Sequence, residues 1–155
     1  MDNLSTNPSV AVQGFDFVID NAKNHAKDLG ILQKLATMIL AKEVDEALIV
    51  AQKIIEDKEY LPLTKSYAKL IWLSYKLDSK ELSDEDKAKL QEYFDSYKSD
   101  TAFYGSAHLL EALWYKKTDK EKAKNILQKL ISSKSVTNTL KEEARALMSN
   151  LTIEN

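Results

Sequence analysis

The sequence predicts an all-α fold of antiparallel helix pairs, and three observations support this prediction. Apolar residues recur at intervals of three and four along most of the chain, which is the spacing of one face of an α-helix. Glycine (3) and proline (2) are scarce among the 155 residues, so few breaks interrupt these segments. No segment alternates apolar and polar residues for long enough to indicate a strand. Because the connections are short, consecutive helices should lie side by side in opposite directions.

Three alanines indicate that the helix pairs are repeats. Ala47, Ala88 and Ala123 each occur early in a lysine- and glutamate-rich segment that follows another helix; 41 residues separate the first two and 35 the last two. Tetratricopeptide repeats have about 34 residues, and related helical repeats have about 40 or more. The sequence therefore predicts a tetratricopeptide-repeat-like, right-handed array of antiparallel helix pairs with about seven helices. The glycine of the tetratricopeptide signature is missing, since Leu35 and Glu111 stand where it would align.

The first half of the chain is predicted to begin with a lead-in and to continue as helices. Residues 1–14 are polar and contain a proline and a glycine, which predicts a flexible linker. A short first helix is expected from Phe15 to about Lys27, and Gly30 predicts a break or tight turn after it. Pro62 suits the first turn of a later helix. The apolar stripes of the next three helices are Ile31, Leu32, Leu35, Ile39 and Leu40; Ala47, Leu48, Ala51, Ile54 and Ile55; and Leu63, Tyr67, Leu70 and Ile71.

The second half has clearer helix starts. Ser83 begins a capping signal with Asp86, and a further helix opens at residues 100–101. The runs Thr118–Glu121 and Thr139–Glu142 are capping boxes, in which the threonine hydroxyl accepts from a free backbone amide. The stripes that follow these four starts are Leu90, Tyr93, Phe94 and Tyr97; Phe103, Ala107, Leu110 and Trp114; Ala123, Ile126, Leu127, Leu130 and Ile131; and Ala144, Leu147, Met148 and Leu151.

The length of the chain predicts one helical-repeat domain, and its charge and arginine content predict little affinity for nucleic acid. The length suits a single domain, predicted over residues 15–151 with a tail at residues 152–155. The formal charge is −2, and Arg145 is the single arginine among 22 basic residues. Arginine supplies the planar fork that recognises phosphates and base edges, so we expect no nucleic-acid partner.

No catalytic, cofactor or metal site is predicted. The chain lacks cysteine, which excludes disulfides, thiol catalysis and cysteine zinc sites. Its two histidines, His25 and His108, lie in different segments, and the His108–Glu111 step has no second copy with which to build a metal centre. Neither a phosphate-binding glycine loop nor a nucleophile elbow occurs. We therefore expect a protein that is not an enzyme and takes no small-molecule substrate.

The C-terminal third resembles a known family. The run Ser106–Leu113 is similar to the family's helix in which Ser-Ala is followed, after a two-residue step, by a Leu-x-Ala-Leu pattern. The pattern continues in Asp119, Ala123, Leu140, Lys141, Glu143, Ala144, Leu147, Met148 and Leu151. The family is the tetratricopeptide-repeat-like domain of the ancillary SecYEG translocon subunit. The resemblance spans residues 15–151 and is nearest to uncharacterised members from lysine-rich intracellular alphaproteobacteria.

The resemblance implies a location and a set of partners. It implies a single-span protein of the inner membrane whose helical domain lies on the periplasmic side, where it meets the Sec translocon, secretory clients or a periplasmic chaperone. This chain has no run of about 18 apolar residues, so membrane attachment would require an anchor that is absent from it. Residues 1–13 have no basic start and no apolar core, so we do not expect a signal peptide there.

One helix face is predicted to bind the partner. Tyr104, His108, Glu111 and Tyr115 follow the spacing i, i+4, i+7 and i+11, which places them on one face. The core side should hold the stripe that begins at Phe103. We predict a non-enzymatic protein–protein interaction domain that uses this face as a groove. Two alternatives remain open: a row that simply faces solvent, and a homodimer seam in a self-associating domain that has no peptide ligand.

Overall fold

The computed structural model describes the backbone of residues 8–79 and 81–153, with side chains from Gly14 onward. Within these ranges the chain is all-α, with eight helices and no strand. The first four helices contact one another in sequence as antiparallel neighbours, and so do the last four. The expected number of about seven is therefore one too low. The helices are α1 (Pro8–Asn21), α2 (Ala26–Leu40), α3 (Val44–Glu56), α4 (Pro62–Leu77), α5 (Asp84–Ser96), α6 (Tyr104–Tyr115), α7 (Lys120–Ser132) and α8 (Asn138–Ile153).

The chain divides into two compact units, one that ends at Leu82 and one that begins at Ser83. In the first unit α2 packs on α3 and α3 on α4, and α1 contacts α2 and α4. In the second unit α6 packs on α7 and α7 on α8, while α5 and α8 both contact α6. The domain bounds at residues 15, 151 and 152 stay a prediction, and residues 1–7 of the expected linker lie outside the described residues.

Each unit has its own apolar core. The largest buried side chain of the first core is Trp72, and in the second unit Trp114 is half-buried. Burying one large apolar side chain stabilises a fold by about 1.5–3 kcal/mol, so each core supplies the main stabilisation of its unit. Other buried apolar residues are Val18, Leu32, Leu35, Val50, Ile54, Tyr67, Leu70, Ile71 and Leu73 in the first unit, and Leu90, Tyr93, Phe94, Leu109, Leu110, Leu127, Leu130, Val136 and Leu151 in the second.

A buried carboxylate fixes the start of α4. Asp28 lies on α2 and is almost inaccessible to solvent. Its Oδ2 accepts from the backbone N–H of Leu61 at 2.9 Å and from the Thr64 hydroxyl at 2.7 Å. Pro62 occupies the first turn of α4, as predicted. A carboxylate beside a helix N-terminus stabilises the helix, and the two hydrogen bonds of Asp28 join α2 to the start of α4.

Of the three alanines that suggested a repeat, two are buried and the third is exposed. Ala47 and Ala123 are both 0% exposed, which fits close approach of paired helices. Ala88 is exposed. The reason is that α5 buries Leu90, Tyr93 and Phe94, so that Ala88, two residues before Leu90, lies on the opposite side of the helix.

The predicted helix cap is confirmed at α5, and the predicted caps of α7 and α8 lie at neighbouring residues instead. The Ser83 hydroxyl accepts from the N–H of Asp86 at 3.0 Å, as predicted. At α7 the cap is Asp119, whose Oδ1 accepts from the N–H of Lys122 at 3.1 Å, so the assignment to Thr118 is wrong by one residue. Before α8 the Thr137 hydroxyl accepts from the N–H of Leu140 at 3.3 Å, so the second capping box was placed two residues too late.

Two predicted features of the first unit are also corrected. Helix α1 begins at Pro8 rather than Phe15 and ends at Asn21. Gly30 makes no break, since it lies within α2, where a Cβ would meet nothing within 4 Å. A helical glycine costs about 1 kcal/mol relative to alanine, and burial of Leu32 and Leu35 on the same helix exceeds that cost. No helix within the described ranges combines the length and apolarity needed to cross a bilayer.

Candidate partner-binding groove

A groove of about 710 Å³ lies on the second unit. Helices α5, α6 and α7 and the loop that joins α5 to α6 supply its walls. Tyr104, His108 and Glu111, three of the four residues predicted for the binding face, line it. Tyr115, the fourth, is joined to the same wall through a hydrogen bond from its hydroxyl to Gln91 Oε1. The helical spacing therefore brings the predicted residues together at one concavity.

This row does not simply face bulk solvent. Glu111 is only 5% exposed, and the other three residues of the row are half-buried. On the core side Ala107 and Leu110 are buried as predicted, whereas Trp114 is half-buried. The row is therefore part of the packed wall of the groove.

Phe103 does not belong to α6, contrary to the prediction. It precedes the helix as its N-cap residue with a φ of 67°, in the left-handed region. Helix α6 begins only at Tyr104, because residues 98–104 form turns in which the N–H of Thr101 bonds to the carbonyl of Lys98 and that of Tyr104 to the carbonyl of Thr101. A bulky residue rarely adopts a positive φ, so sequence gives no reason to expect it here.

His108 forms a hydrogen bond at each of its ring nitrogens. Its Nδ1 lies 2.8 Å from Glu111 Oε1, and its Nε2 lies 2.9 Å from the backbone carbonyl oxygen of Tyr97. A carbonyl oxygen only accepts, so Nε2 carries a proton and donates it to Tyr97. His108 is therefore paired with the nearly buried Glu111, and it ties α6 to the end of α5.

The surroundings of His108 act on its pKa in opposite directions. Burial lowers the pKa, because desolvation disfavours the charged ring. The hydrogen bonds to Glu111 and to the Tyr97 carbonyl, together with the charges of Glu111 and Asp95, raise it by more. The net pKa of His108 is therefore raised.

Gln91 forms hydrogen bonds with both carboxylates of the groove lining, those of Glu111 and Asp95. Its Nε2 donates to Glu111 Oε2 at 3.2 Å and to Asp95 Oδ1 at 2.9 Å, while its Oε1 accepts from Tyr115. Both carboxylates thus accept hydrogen bonds from the chain itself. This network fixes the polar wall, since each oxygen of Glu111 has a partner within the unit.

Three lysines border the groove. Lys122 Nζ lies 4.0 Å from the centroid of the Tyr115 ring, and its hydrogen bond to the Tyr115 hydroxyl raises the lysine pKa. Lys98 and Lys129 are exposed, and within the described part of the chain neither forms an ion pair. The border of the groove is therefore basic.

Apolar and aromatic side chains complete the lining. Tyr97 and Leu130 are buried, and Ile126 is half-buried one turn from Leu130 on α7. Burial raises the pKa of Tyr97 far above its usual range. The Tyr104 ring meets His108 edge-on, with 4.8 Å between ring centroids. The groove thus combines an apolar floor, aromatic edges and a basic border, which are the surfaces that proteins use for peptide segments.

Sequence reasoning missed the residues contributed by other elements. Gln91 lies on α5, Lys122 and Lys129 lie on α7, and the Tyr97 carbonyl is in the loop. Helical spacing relates residues of one helix only, so nothing in the sequence placed these groups opposite His108. The predicted absence of a metal site stays a prediction. No three histidine, aspartate or glutamate side chains in the described ranges are grouped as metal ligands.

Comparison with known proteins places the chain in a family. Residues 1–151 match the family described as "Protein of unknown function (DUF2659)". The chain belongs to that family. It is 27% identical over 153 residues to the uncharacterised protein RP231 of Rickettsia prowazekii (strain Madrid E), a match that covers 97% of this chain and 70% of that protein. The predicted kinship with uncharacterised bacterial proteins is thereby confirmed at this coarser level. No solved structure matches the chain.

Proposed function

We propose that the chain is a non-enzymatic protein–protein interaction domain that binds a segment of its partner in the groove beside α6. The observation that carries this proposal is the groove itself, which has an apolar floor and a basic border and a volume of about 710 Å³. A peptide segment buries apolar side chains on such a floor and satisfies its polar groups at the border.

The helix packing supports the proposal. Ala47 on α3 and Ala123 on α7 are both fully buried, and each of these helices packs against the helices before and after it. We propose that both units are built from tetratricopeptide-repeat-like helix pairs. Stacked pairs of this kind serve mainly as scaffolds that bind other proteins.

The proposed partners follow from the resemblance to the ancillary SecYEG translocon subunit. The segment that carries the resemblance most clearly, Ser106–Leu113, lies within α6, the helix that forms one wall of the groove. We therefore propose that the domain acts on the periplasmic side of the inner membrane and meets the Sec translocon, secretory clients or a periplasmic chaperone. Any membrane attachment would come from an anchor outside this chain.

A crosslinking experiment in cells tests the proposal. A photoreactive residue replaces Tyr104, which lines the groove, and in a matched control it replaces Ser149, which is exposed on α8. Capture of Sec components or secretory proteins from position 104, but not from position 149, is the expected result. Equal capture from both positions, or no capture from either, would show that the groove is not the binding site.

Self-association is a second candidate function, and one observation favours it. Leu40 at the end of α2 is 71% exposed, and Val44 and Ile49 on α3 are also exposed. Exposed large apolar residues are typical of surfaces that become buried in an assembly. Light scattering of the purified chain and of Leu40→Glu tests this alternative. A dimer that Leu40→Glu converts to a monomer would favour a homodimer with no peptide ligand.

A further inference from the structure

We infer that the groove takes an acidic segment of a partner protein, in which aspartate or glutamate residues flank an apolar side chain. This inference rests on the proposed function and names the chemistry of its partner. Three features of the groove support it: its charge balance, the exposure of two of its lysines and the apolar residues next to a lysine in its lining.

The lining of the groove carries an excess of positive charge. Glu111 is paired with His108, 2.8 Å away. Asp95 then remains as the single uncompensated acid in the lining, against Lys98, Lys122 and Lys129. The whole chain has a formal charge of −2, so this local excess runs against the overall charge. An electropositive concavity on an acidic protein attracts and orients anionic segments.

The two lysines at the outer border are available to a partner. Two other lysines of the second unit have acidic neighbours: Lys124 lies 3.8 Å from Glu121, and Lys89 lies 3.7 Å from Glu85. Among the described residues Lys98 and Lys129 have no such neighbour, and both are exposed. A partner carboxylate can therefore approach either ammonium group without breaking a contact within the domain.

Two apolar residues of α7 form part of the same lining as these lysines. Leu130 and Ile126 are one turn apart on α7, and Lys129 is next to Leu130 in sequence. An apolar side chain on this floor would therefore have acidic neighbours close to a lysine. The hydrocarbon stems of lysines also cover apolar surface while their ammonium groups stay in water. The favoured segment is thus both acidic and apolar.

A random peptide display library provides the test, because it makes no assumption about sequence. The whole chain is the bait. The first variant combines Lys98→Glu with Lys129→Glu, and the control variant combines Lys117→Glu with Lys134→Glu. The third variant is Ile126→Ala. The control pair makes the same charge change at exposed positions outside the groove lining. Circular dichroism verifies that every variant is folded.

The expected result is enrichment of peptides that contain acidic residues around an apolar one. A selected peptide should bind the Lys98→Glu, Lys129→Glu variant about tenfold more weakly, which is about 1.4 kcal/mol, because two attractive charge pairs are lost. Its affinity should fall with added salt and should not change in the control pair.

Three outcomes would overturn the inference. Selected peptides that lack an acidic excess but lose affinity with Ile126→Ala would refute the charge argument and leave groove binding intact. An acidic peptide that binds the Lys98→Glu, Lys129→Glu variant as tightly as the unchanged chain would also refute the charge argument and leave groove binding intact. Peptides insensitive to all variants, or no enrichment over background, would refute the proposed groove binding as well.

Discussion

At the scale of single residues, His108 is a side chain whose protonation we expect to be coupled to folding. Its two contacts are to Glu111 and to the Tyr97 carbonyl. Asp95, Tyr97, Tyr104 and Gln91 are the other polar groups that surround the pair. The hydrogen bonds to Glu111 and to the Tyr97 carbonyl and the charges of Glu111 and Asp95 favour the protonated ring.

The pH dependence of stability follows from the direction of the pKa shift. The pKa of His108 is raised in the folded chain, so its contribution to the free energy of unfolding is complete below the ordinary histidine pKa of about 6.5 and is lost as pH rises through the folded value. We predict that the denaturation midpoint of the second unit falls over this range and that His108→Gln removes the fall.

Denaturant titrations of the chain at a series of pH values measure this effect. The matched control is His25→Gln, since His25 is the only other histidine and is exposed at the start of α2. The control should keep the pH slope of the unchanged chain. An equal slope in His108→Gln would show that the pair does not link protonation to folding.

The candidate site could be predicted from sequence only along one helix. Tyr104, His108, Glu111 and Tyr115 form a row because a helix places i, i+4, i+7 and i+11 on one face, whatever surrounds it. The partners of that row depend on how helices pack, and a single sequence does not contain this information. Gln91 is an example, because it lies on α5 and its contacts to α6 arise only in the folded unit.

At the scale of elements, α7 begins after two neighbouring residues that could each cap it, Thr118 and Asp119. The Asp119 carboxylate accepts from the N–H of Lys122, whereas Thr118 is exposed and precedes the cap. We predict that Asp119→Ala lowers the free energy of unfolding by about 1 kcal/mol, the usual cost of losing a cap, and that Thr118→Ala changes it little. Chemical denaturation of both variants measures the difference. A larger loss of stability in Thr118→Ala than in Asp119→Ala would show that Thr118 is the cap.

The buried alanines allow a direct test of close helix packing. Ala123 and Ala47 are fully buried, and Ala88 is exposed on α5. Leucine in place of Ala123 or Ala47 should overpack the neighbouring helix and cost about 1–3 kcal/mol. Ala88→Leu is the matched control and should be nearly neutral, because alanine and leucine have similar helix propensities. Equal denaturation midpoints for all three variants would refute the repeat argument.

Sequence predicted the existence and type of the helices better than their ends. Apolar periodicity reflects burial of one helix face, and burial is what forms these helices. The ends depend on weaker local terms that tertiary contacts override, as at Gly30, which α2 includes, and at Phe103, which a turn holds at a positive φ. Ser83 and Pro62 were assigned correctly because the local and tertiary preferences agree there.

At the scale of the whole molecule, we predict folding without metal or nucleotide. The chain has no cysteine, and Glu111 and His108 direct their polar atoms at each other and at neighbouring groups of the fold. The melting temperature should be the same with EDTA, zinc or ATP, since a ligand at a hundred times its dissociation constant would stabilise the fold by about 2.7 kcal/mol. A thermal shift of several degrees with any of the three would favour an enzyme instead.

The two tryptophans give each unit its own optical signal. The chain has two, and one lies in each unit: Trp72 is buried in the first, and Trp114 is half-buried in the second. Indole fluorescence depends on the polarity around the ring, so the buried indole should emit at shorter wavelength than the half-buried one. In Trp72→Phe the remaining emission comes from the second unit alone. In Trp114→Phe it comes from the first unit alone. Equal denaturation midpoints in the two variants would show that the units unfold together, and different midpoints that each unfolds by itself.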